Sequence, residues 1–293
     1  MKTMSTHAIF GTDLSPASDK LIECAFEYKK LGIKNITLVH ALGLKHVQAF
    51  EDLLRKDVDE KLEMQKKKLE EQGFEVEAQV KRHLPKDELH SMANETGAAL
   101  IIIGTHGISL TKALIGSTAS EIIHNIDHPL LLISMKTIET KEGEKDEFFC
   151  PKLTGRILHP TDFSDTAEEA FQWLKGREVS LPELTLMHVQ DEVKIGKHLK
   201  DRLEEFNRID TERLERLKKS FNEAHPETEI EIVLEYGKPT QIILNYIKEK
   251  EVCLTLMGSQ GRGYIPETFL GSVSHQVARH SGSNMLFIPL PRH

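Results

Sequence analysis

A glycine-rich segment in the second half of the chain has the residue types and spacing of a phosphate-binding loop. An apolar run ends at Gly258, Gly261 follows, and after nine intervening residues Gly271 and Ser272 begin a predicted helix. Glycines let backbone N–H groups approach an anion without an intervening Cβ. The helix N-terminus adds unpaired N–H groups and a favourable dipole, and the Ser272 hydroxyl adds a donor. The alternative is a glycine turn that only makes room for close helix–strand packing.

The motifs of the chain occur twice, in the same order and at nearly the same offset. Residues 9–15 (IFGTDLS) match 158–164 (LHPTDFS), and residues 36–40 (ITLVH) match 184–188 (LTLMH). The glycine motif has a counterpart in Gly104, Gly107, Gly116 and Ser117. Matches in register along the whole chain predict an internal duplication.

Alternating strand and helix patterns surround these motifs in both halves. The first half predicts strands at 8–11, 35–40, 74–82, 98–103 and 130–133, with helices at 17–31, 47–72, 86–95 and 117–125. The second half predicts strands at 157–159, 184–188, 229–234, 252–257 and 285–288. This pattern predicts an α/β fold class with two tandem doubly wound parallel five-stranded sheets. Ligands bind such sheets beyond the carboxyl ends of the strands, where the repeated motifs fall. The alternative is that matching strand ends reflect shared turns only.

A charged segment separates the two copies. Residues 139–147 are almost wholly charged and predict a linker, which gives a first domain at 1–138, a linker at 139–152 and a second domain at 153–293.

Composition and charge exclude several classes of protein. A net charge of -8 argues against nucleic-acid binding, and no apolar run approaches the roughly 20 residues needed to span a membrane. Cys24, Cys150 and Cys253 are far apart and indicate neither a zinc ribbon nor a disulfide framework. These features, with no apolar signal-peptide core near Met1, predict a cytoplasmic protein.

The combined pattern resembles the universal stress protein family in its tandem two-domain form, with the adenine nucleotide alpha hydrolase-like fold. Nucleotide-binding members carry Gly-2x-Gly-9x-Gly-(Ser/Thr) after the fourth strand, and the motif from Gly258 to Ser272 matches it, spacing included. The resemblance implies ATP or AMP as ligand, with Mg²⁺ as an option alongside ATP. It places Asp162 beside the adenosine and the backbone of Val189 at the adenine edge. It also implies pseudo-twofold pairing of the halves through their last strands, with a homo-oligomer as a further option.

The predicted nucleotide-binding residues form one set in each half. The set of the second half is Pro160, Thr161, Asp162, Val189, Gly237, Gly258, Ser259, Gly261, Arg262, Gly263, Gly271, Ser272 and Val273. The set of the first half is Thr12, Asp13, Ala41, Gly104, Thr105, Gly107, Gly116, Ser117 and Thr118. The first half has eight residues instead of nine in its loop, and His83 where the second half has Gly237. Nucleotide binding in the first half is therefore left open.

The expected function is an adenine-nucleotide-binding, regulatory stress-response protein that is not primarily catalytic. One alternative is a slow ATP hydrolase or phosphotransferase, which requires a group that positions the nucleophile. Another is an interaction scaffold that needs no nucleotide. His40 and His188 end the second strand of each half, and we interpret them as hydrogen-bonded rim histidines rather than catalytic bases. No HExxH or other local metal-ligand spacing occurs, so neither catalytic residues nor metal ligands are predicted.

Overall fold

The chain forms two compact units, Met1–Pro151 and Lys152–His293. The structure is a computed structural model that describes residues 5–42, 48–83, 85–105, 117–124, 126–134, 152–196, 201–261 and 270–290. The predicted linker lies outside these residues apart from its last position, Lys152, so its assignment stays a prediction. The expected pairing of the two halves also stays a prediction.

The first unit contains one parallel sheet with the strand order β3-β2-β1-β4-β5. Its strands are β1 (His7–Thr12), β2 (Asn35–Ala41), β3 (Glu75–Lys81), β4 (Leu100–Gly104) and β5 (Leu130–Ile133). Its helices are α1 (Pro16–Glu23), α2 (Phe26–Lys29), α3 (Gln48–Glu71), α4 (Pro85–Thr96) and α5 (Ser117–His124). The chain adds strands on one side of β1 and then on the other, so the strand order reverses between β1 and β4.

The second unit repeats this arrangement with the strand order β10-β9-β6-β7-β8. Its strands are β6 (Arg156–Pro160), β7 (Glu183–Asp191), β8 (Glu229–Gly237), β9 (Leu254–Gly258) and β10 (Asn284–Ile288). Its helices are α6 (Asp165–Lys175), α7 (Glu192–Ile195), α8 (Leu203–Ala224), α9 (Pro239–Glu249) and α10 (Ser272–His280). The reversal between β6 and β9 creates a crevice beyond the carboxyl ends of these strands, where open α/β sheets bind ligands.

The central strands carry the core of each unit. The continuous apolar run of β4 and the whole of β5 are buried, as expected for parallel strands covered on both faces. The helices that follow β1 and β6 begin at a serine N-cap: Ser15 accepts a hydrogen bond from the Ser18 amide, and Ser164 accepts one from the Ala167 amide. The repeated Thr-Asp-x-Ser motif therefore sets the start of the first helix in both units.

The α/β fold with one parallel five-stranded sheet in each half is confirmed, and every predicted strand is present to within three residues at each end. The largest extensions are in β7 and β8, whose pairing continues to Asp191 and Gly237. The outer strand β8 is half-exposed there, so no apolar pattern signals its end. Within the described helices, none is both long and apolar enough to cross a membrane.

Two expectations for the first half are wrong. The single helix predicted at 17–31 is divided into α1 and α2, because the Cys24 amide shares its hydrogen bond between the Lys20 and Leu21 carbonyls and the helix tightens there. Buried Tyr28 lies in α2, with its hydroxyl donating to the Leu21 carbonyl. Cys24 is disulfide-bonded, so the expectation that the cysteines indicate no disulfide is wrong for this residue, whereas Cys253 is a free thiol.

Candidate functional site

A cavity of about 510 Å³ lies at the carboxyl ends of β6, β7 and β9 in the second unit. This size falls within the range of roughly 300–1,000 Å³ that is typical of small-molecule sites. Nine residues predicted from the sequence line it: Pro160, Thr161, Asp162, Val189, Gly258, Gly261, Gly271, Ser272 and Val273. The lining does not include the predicted Gly237 and Ser259, and Arg262 and Gly263 lie outside the described residues.

The turn after β6 holds Asp162 at the edge of the cavity. Asp162 Oδ1 accepts hydrogen bonds from the Ser164 amide at 3.1 Å and from the Ser164 hydroxyl at 2.5 Å. Between them, Phe163 has a φ of 57°, and its amide donates to Thr161 Oγ1 at 3.0 Å. A positive φ at a non-glycine residue costs on the order of 1–3 kcal/mol and occurs where the surroundings enforce it. The side chains of Thr161 and Asp162 thus accept hydrogen bonds that stabilise a tight turn, and this turn holds Asp162 at the cavity.

The first unit builds the same turn after β1. Asp13 Oδ1 accepts from the Ser15 amide at 3.0 Å and from the Ser18 hydroxyl at 2.6 Å. Leu14 has a φ of 58°, and its amide donates to Thr12 Oγ1 at 3.1 Å. The duplicated motif therefore encodes the same strained turn twice. Asp13 and Asp162 act as turn residues, which is compatible with a second role toward a ligand.

The glycines of the loop after β9 have different local reasons to be glycine. A Cβ on Gly258 would lie 2.7 Å from the carbonyl carbon of Thr166 and 2.8 Å from the Ala167 amide, so this position serves close packing against α6. A Cβ on Gly261 would instead lie 2.7 Å from Asp162 Oδ2, at the cavity. Gly258 is therefore explained by close helix–strand packing. Gly261 is instead explained by its close approach to the Asp162 carboxylate.

The start of α10 closes the loop. The Gly271 amide donates to the Ser259 carbonyl at 2.7 Å, and Ser274 Oγ donates to the Gly258 carbonyl at 3.0 Å. Thr166 Oγ1 donates to the Gln260 carbonyl and connects the loop to α6. The first-turn residues Ser272 and Val273 line the cavity, and backbone N–H groups in a first turn have no intrahelical acceptor. The start of α10 thus places a helix N-terminus, whose first-turn N–H groups have no intrahelical acceptor, at one end of the cavity.

A polar network from β7 and α8 forms another part of the lining. His188 Nδ1 donates to the Thr161 carbonyl at 2.7 Å, and its Nε2 lies 3.6 Å from Asp210 Oδ2. Asp210 also accepts from Gln190 Nε2 at 3.0 Å and from Arg213 at 3.2 Å. The network orders the carboxyl end of β7 against α8. His188 is hydrogen-bonded as expected for a rim histidine.

Sequence reasoning missed the contribution of α8 to this cavity. Phe206 and Asp210 both line it, one helical turn apart on the stripe that continues to buried Leu214 and Phe221. A buried carboxylate on the apolar stripe of an amphipathic helix is unusual and is the signal that could have identified the position. The neighbouring apolar lining comes from Val189, Ile195, Ile243 and Met257.

Gly237 does not line the cavity but shapes the turn that leads to it. Its φ of 148° is one that residues with a Cβ rarely adopt, and a Cβ there would lie 3.0 Å from the side chain of Ile242. The turn leads directly into α9, which contributes Pro239 and Ile243 to the lining. At the corresponding turn of the first unit, exposed His83 pairs with Glu88 at 2.5 Å.

The described site residues of the first unit form a hydrogen-bond network with α3. Thr12 Oγ1 donates to Gln65 Oε1 at 2.8 Å, and Gln65 Nε2 donates to Asp19 at 2.7 Å. Gln65 of α3 is buried and thus bridges the end of β1 to α1. His40 Nδ1 donates to the Thr12 carbonyl at 2.9 Å, as His188 does to Thr161.

The other predicted residues of the first unit are only partly described. Ala41 ends β2, Gly104 ends β4, and the amide of buried Thr105 donates to the Ile133 carbonyl at 2.9 Å. Ser117 and Thr118 begin α5, although nothing is described of their side chains. Gly107 and Gly116 lie outside the described residues.

Burial also lowers the pKa of a histidine in β6, one of the strands whose ends form the cavity. His159 of β6 is fully buried, and burial lowers the pKa of its imidazole below the ordinary value, against the raising effect of its hydrogen bond to the Leu256 carbonyl at 3.0 Å. Its Nε2 has no hydrogen-bond partner in the described part of the chain. This ring is therefore held neutral in the core near the strands that form the cavity.

Known proteins match both halves of the chain. The model of the Universal stress protein family matches residues 4–134 and 154–289. Universal stress protein MJ0577 of Methanocaldococcus jannaschii is 30% identical over 45% of this chain and 93% of its own length. A universal stress protein of Mycolicibacterium smegmatis is 23% identical over 97% of both chains. The crystal structure of a universal stress protein from Archaeoglobus fulgidus covers 98% of this chain and 99% of its own, with a TM-score of 0.72 and 22% identity, and shows the same fold. With both halves matched, the chain belongs to the universal stress protein family and carries two tandem copies of its domain.

Proposed function

We propose that the second unit binds an adenine nucleotide, ATP or AMP, in the cavity beyond β6, β7 and β9. The main support is that nine residues predicted from separate segments of the sequence line one cavity of suitable size. The motif that carries the resemblance to nucleotide-binding relatives supplies Gly258, Gly261, Gly271 and Ser272 to this lining.

The cavity offers different chemistry to each part of a nucleotide. The phosphates would lie at the loop from Gly261 to Ser272, where glycine backbone and a helix N-terminus favour an anion. Asp162 would accept a hydrogen bond from a ribose hydroxyl. The adenine ring would contact the apolar lining that includes Ile195 and Phe206, with its edge at the backbone of Val189.

The role we propose is regulatory binding rather than turnover. Phosphoryl transfer needs a group that orients the attacking nucleophile. His188, the histidine of the lining, donates Nδ1 to the Thr161 carbonyl and has Asp210 beside Nε2, an arrangement that serves the structure of the rim. In this proposal, a change in bound adenine nucleotide is the signal in a stress response.

Mass spectrometry of the nucleotides released from freshly purified, denatured protein tests the proposal. We expect ATP or AMP in a substantial fraction of the chains, and calorimetric titration of nucleotide-free protein should show binding of ATP or AMP well above that of GTP. Phosphate release from ATP should stay far below the roughly 1–100 per second of typical phosphoryl-transfer enzymes. Absence of adenine-nucleotide binding in both experiments would favour an interaction scaffold, and rapid turnover would favour an enzyme.

A further inference from the structure

Two histidines and an aspartate converge on one point of the first unit, away from the repeated motifs. His90 lies on α4, whereas Asp127 and His128 lie in the turn before β5. The potential ligand atoms of the three side chains are all within 4.8 Å of one another. His128 Nδ1 is 2.8 Å from Asp127 Oδ1, and His90 Nδ1 contacts the same oxygen.

The cluster is mostly shielded from solvent. The side chains of His90, Asp127 and His128 are only 12%, 15% and 16% exposed, respectively. His90 Nε2 is also buried and has no hydrogen-bond partner among the residues that the structure describes. Burying two imidazoles and a carboxylate requires compensating interactions, because each loses its hydration. A shared cation would supply such an interaction.

The donor set selects a class of cation. Two imidazole nitrogens and one carboxylate oxygen suit Zn²⁺ and neighbouring transition metals, whereas Ca²⁺ and Mg²⁺ prefer all-oxygen sites. We propose that His90, Asp127 and His128 bind one divalent transition-metal ion of the zinc class, with water completing the coordination. The ion links α4 to the turn that leads into β5. It is independent of the nucleotide cavity, which belongs to the second unit.

This site is not recognisable from the sequence, because His90 is far from Asp127 and His128 along the chain. A search for local metal spacings therefore predicts no ligands, and the topology of the sheet creates the cluster. The adjacent pair Asp127-His128 is too common a dipeptide to indicate a metal.

The test uses the full-length, tag-free chain after removal of metals with a chelator. Titration with Zn²⁺ in competition with a chromophoric chelator should give one site per chain. His90→Gln and His128→Gln should each weaken Zn²⁺ binding by at least tenfold, since losing an outer-shell partner alone weakens metal sites by about 10–100-fold. The matched control is His83→Gln, which removes an exposed histidine paired with Glu88 near the start of the same helix and should leave Zn²⁺ binding unchanged.

A measurement on the parent chain keeps the proposal testable if a variant fails to fold. Co²⁺ in place of Zn²⁺ should give a visible absorption band of a four- or five-coordinate site, at one ion per chain. Zn²⁺ should raise the thermal unfolding midpoint of the parent and of His83→Gln. A parent chain with no Zn²⁺ site and no Co²⁺ band would overturn the proposal. So would Zn²⁺ binding that both His90→Gln and His128→Gln leave unchanged.

Discussion

A side chain on Gly261 would collide with the carboxylate of Asp162, since a Cβ built on the glycine lies 2.7 Å from Asp162 Oδ2. The other oxygen of that carboxylate is held by the amide and hydroxyl of Ser164. Asp162 cannot turn away from a new side chain without giving up those hydrogen bonds. The loop after β9 and the turn after β6 are therefore fitted to each other, although they lie far apart in the sequence.

Gly258→Ala should lower the stability of the second unit. The new methyl group would overlap the backbone of α6 at Thr166 and Ala167, which cannot retreat as a flexible side chain can. Overpacking of this kind costs about 1–3 kcal/mol in the free energy of unfolding. Chemical denaturation of the variant and the parent measures the loss. An unchanged free energy of unfolding would show that α6 does not restrict this position.

Asp210→Ala should destabilise the second unit by about 1–3 kcal/mol, because buried Gln190 loses its acceptor and the loss leaves a buried donor unsatisfied. Asp210→Asn keeps an acceptor and should lose less. The control is Glu212→Ala on the same helix, where the exposed carboxylate pairs with Arg208 and Arg216 at the surface. Denaturation curves for the three variants provide the test. Equal losses for Asp210→Ala and Glu212→Ala would contradict the network described for the rim.

His159→Phe should reduce the loss of stability at mildly acidic pH. Because burial lowers the pKa of His159 in the folded state, the unfolded chain binds a proton near its ordinary pKa of about 6.5 while the folded chain does not. The free energy of unfolding therefore falls as pH drops through about 6.5, by up to about 1.4 kcal/mol per pH unit from this group. The first unit already has a phenylalanine, Phe10, at the equivalent repeat position.

Urea denaturation of the parent and of His159→Phe at pH 7.5 and 5.5 measures this contribution. Other titrating groups, such as partly buried His7 and paired Glu23, contribute equally to both proteins and cancel in the comparison. We expect the parent to lose more stability than the variant between the two pH values. Equal losses would mean that His159 takes up a proton in the folded state as readily as in the unfolded chain.

The repeat made much of this molecule predictable from the sequence. Apolar runs such as that of β5 define the buried strands, and the Thr-Asp-x-Ser motif marks where β1 and β6 end. Three-dimensional proximity was not predictable in the same way. Asp210 lies within the long helix α8 and contacts the cavity only in the folded structure. His90 and Asp127 are brought together by the folding of the sheet. Neither pair of segments has a local sequence spacing that would reveal the contact. The division between α1 and α2 depends on the shared hydrogen bond of the Cys24 amide, which helical periodicity does not reveal.

We expect the second unit to bind adenine nucleotide more tightly than the first. Its loop keeps nine residues between Gly261 and Gly271, against eight between Gly107 and Gly116 in the first half. A backbone hydrogen bond to phosphate is charge-assisted and worth about 1.5–3 kcal/mol, so one misplaced donor weakens binding by about tenfold to a hundredfold. Gly261→Val adds a branched side chain against Asp162.

Calorimetric titration of ATP and AMP into the parent, Gly261→Val and Gly107→Val tests this claim most directly. Gly282→Ala is the control for lost stability, because its φ of 60° is strained for alanine while nothing lies within 4 Å of the new methyl group. We expect Gly261→Val to remove the tighter site, and Gly107→Val and Gly282→Ala to retain it. If Gly107→Val abolishes the tighter site while Gly261→Val leaves it intact, the nucleotide belongs to the first half and the account is wrong.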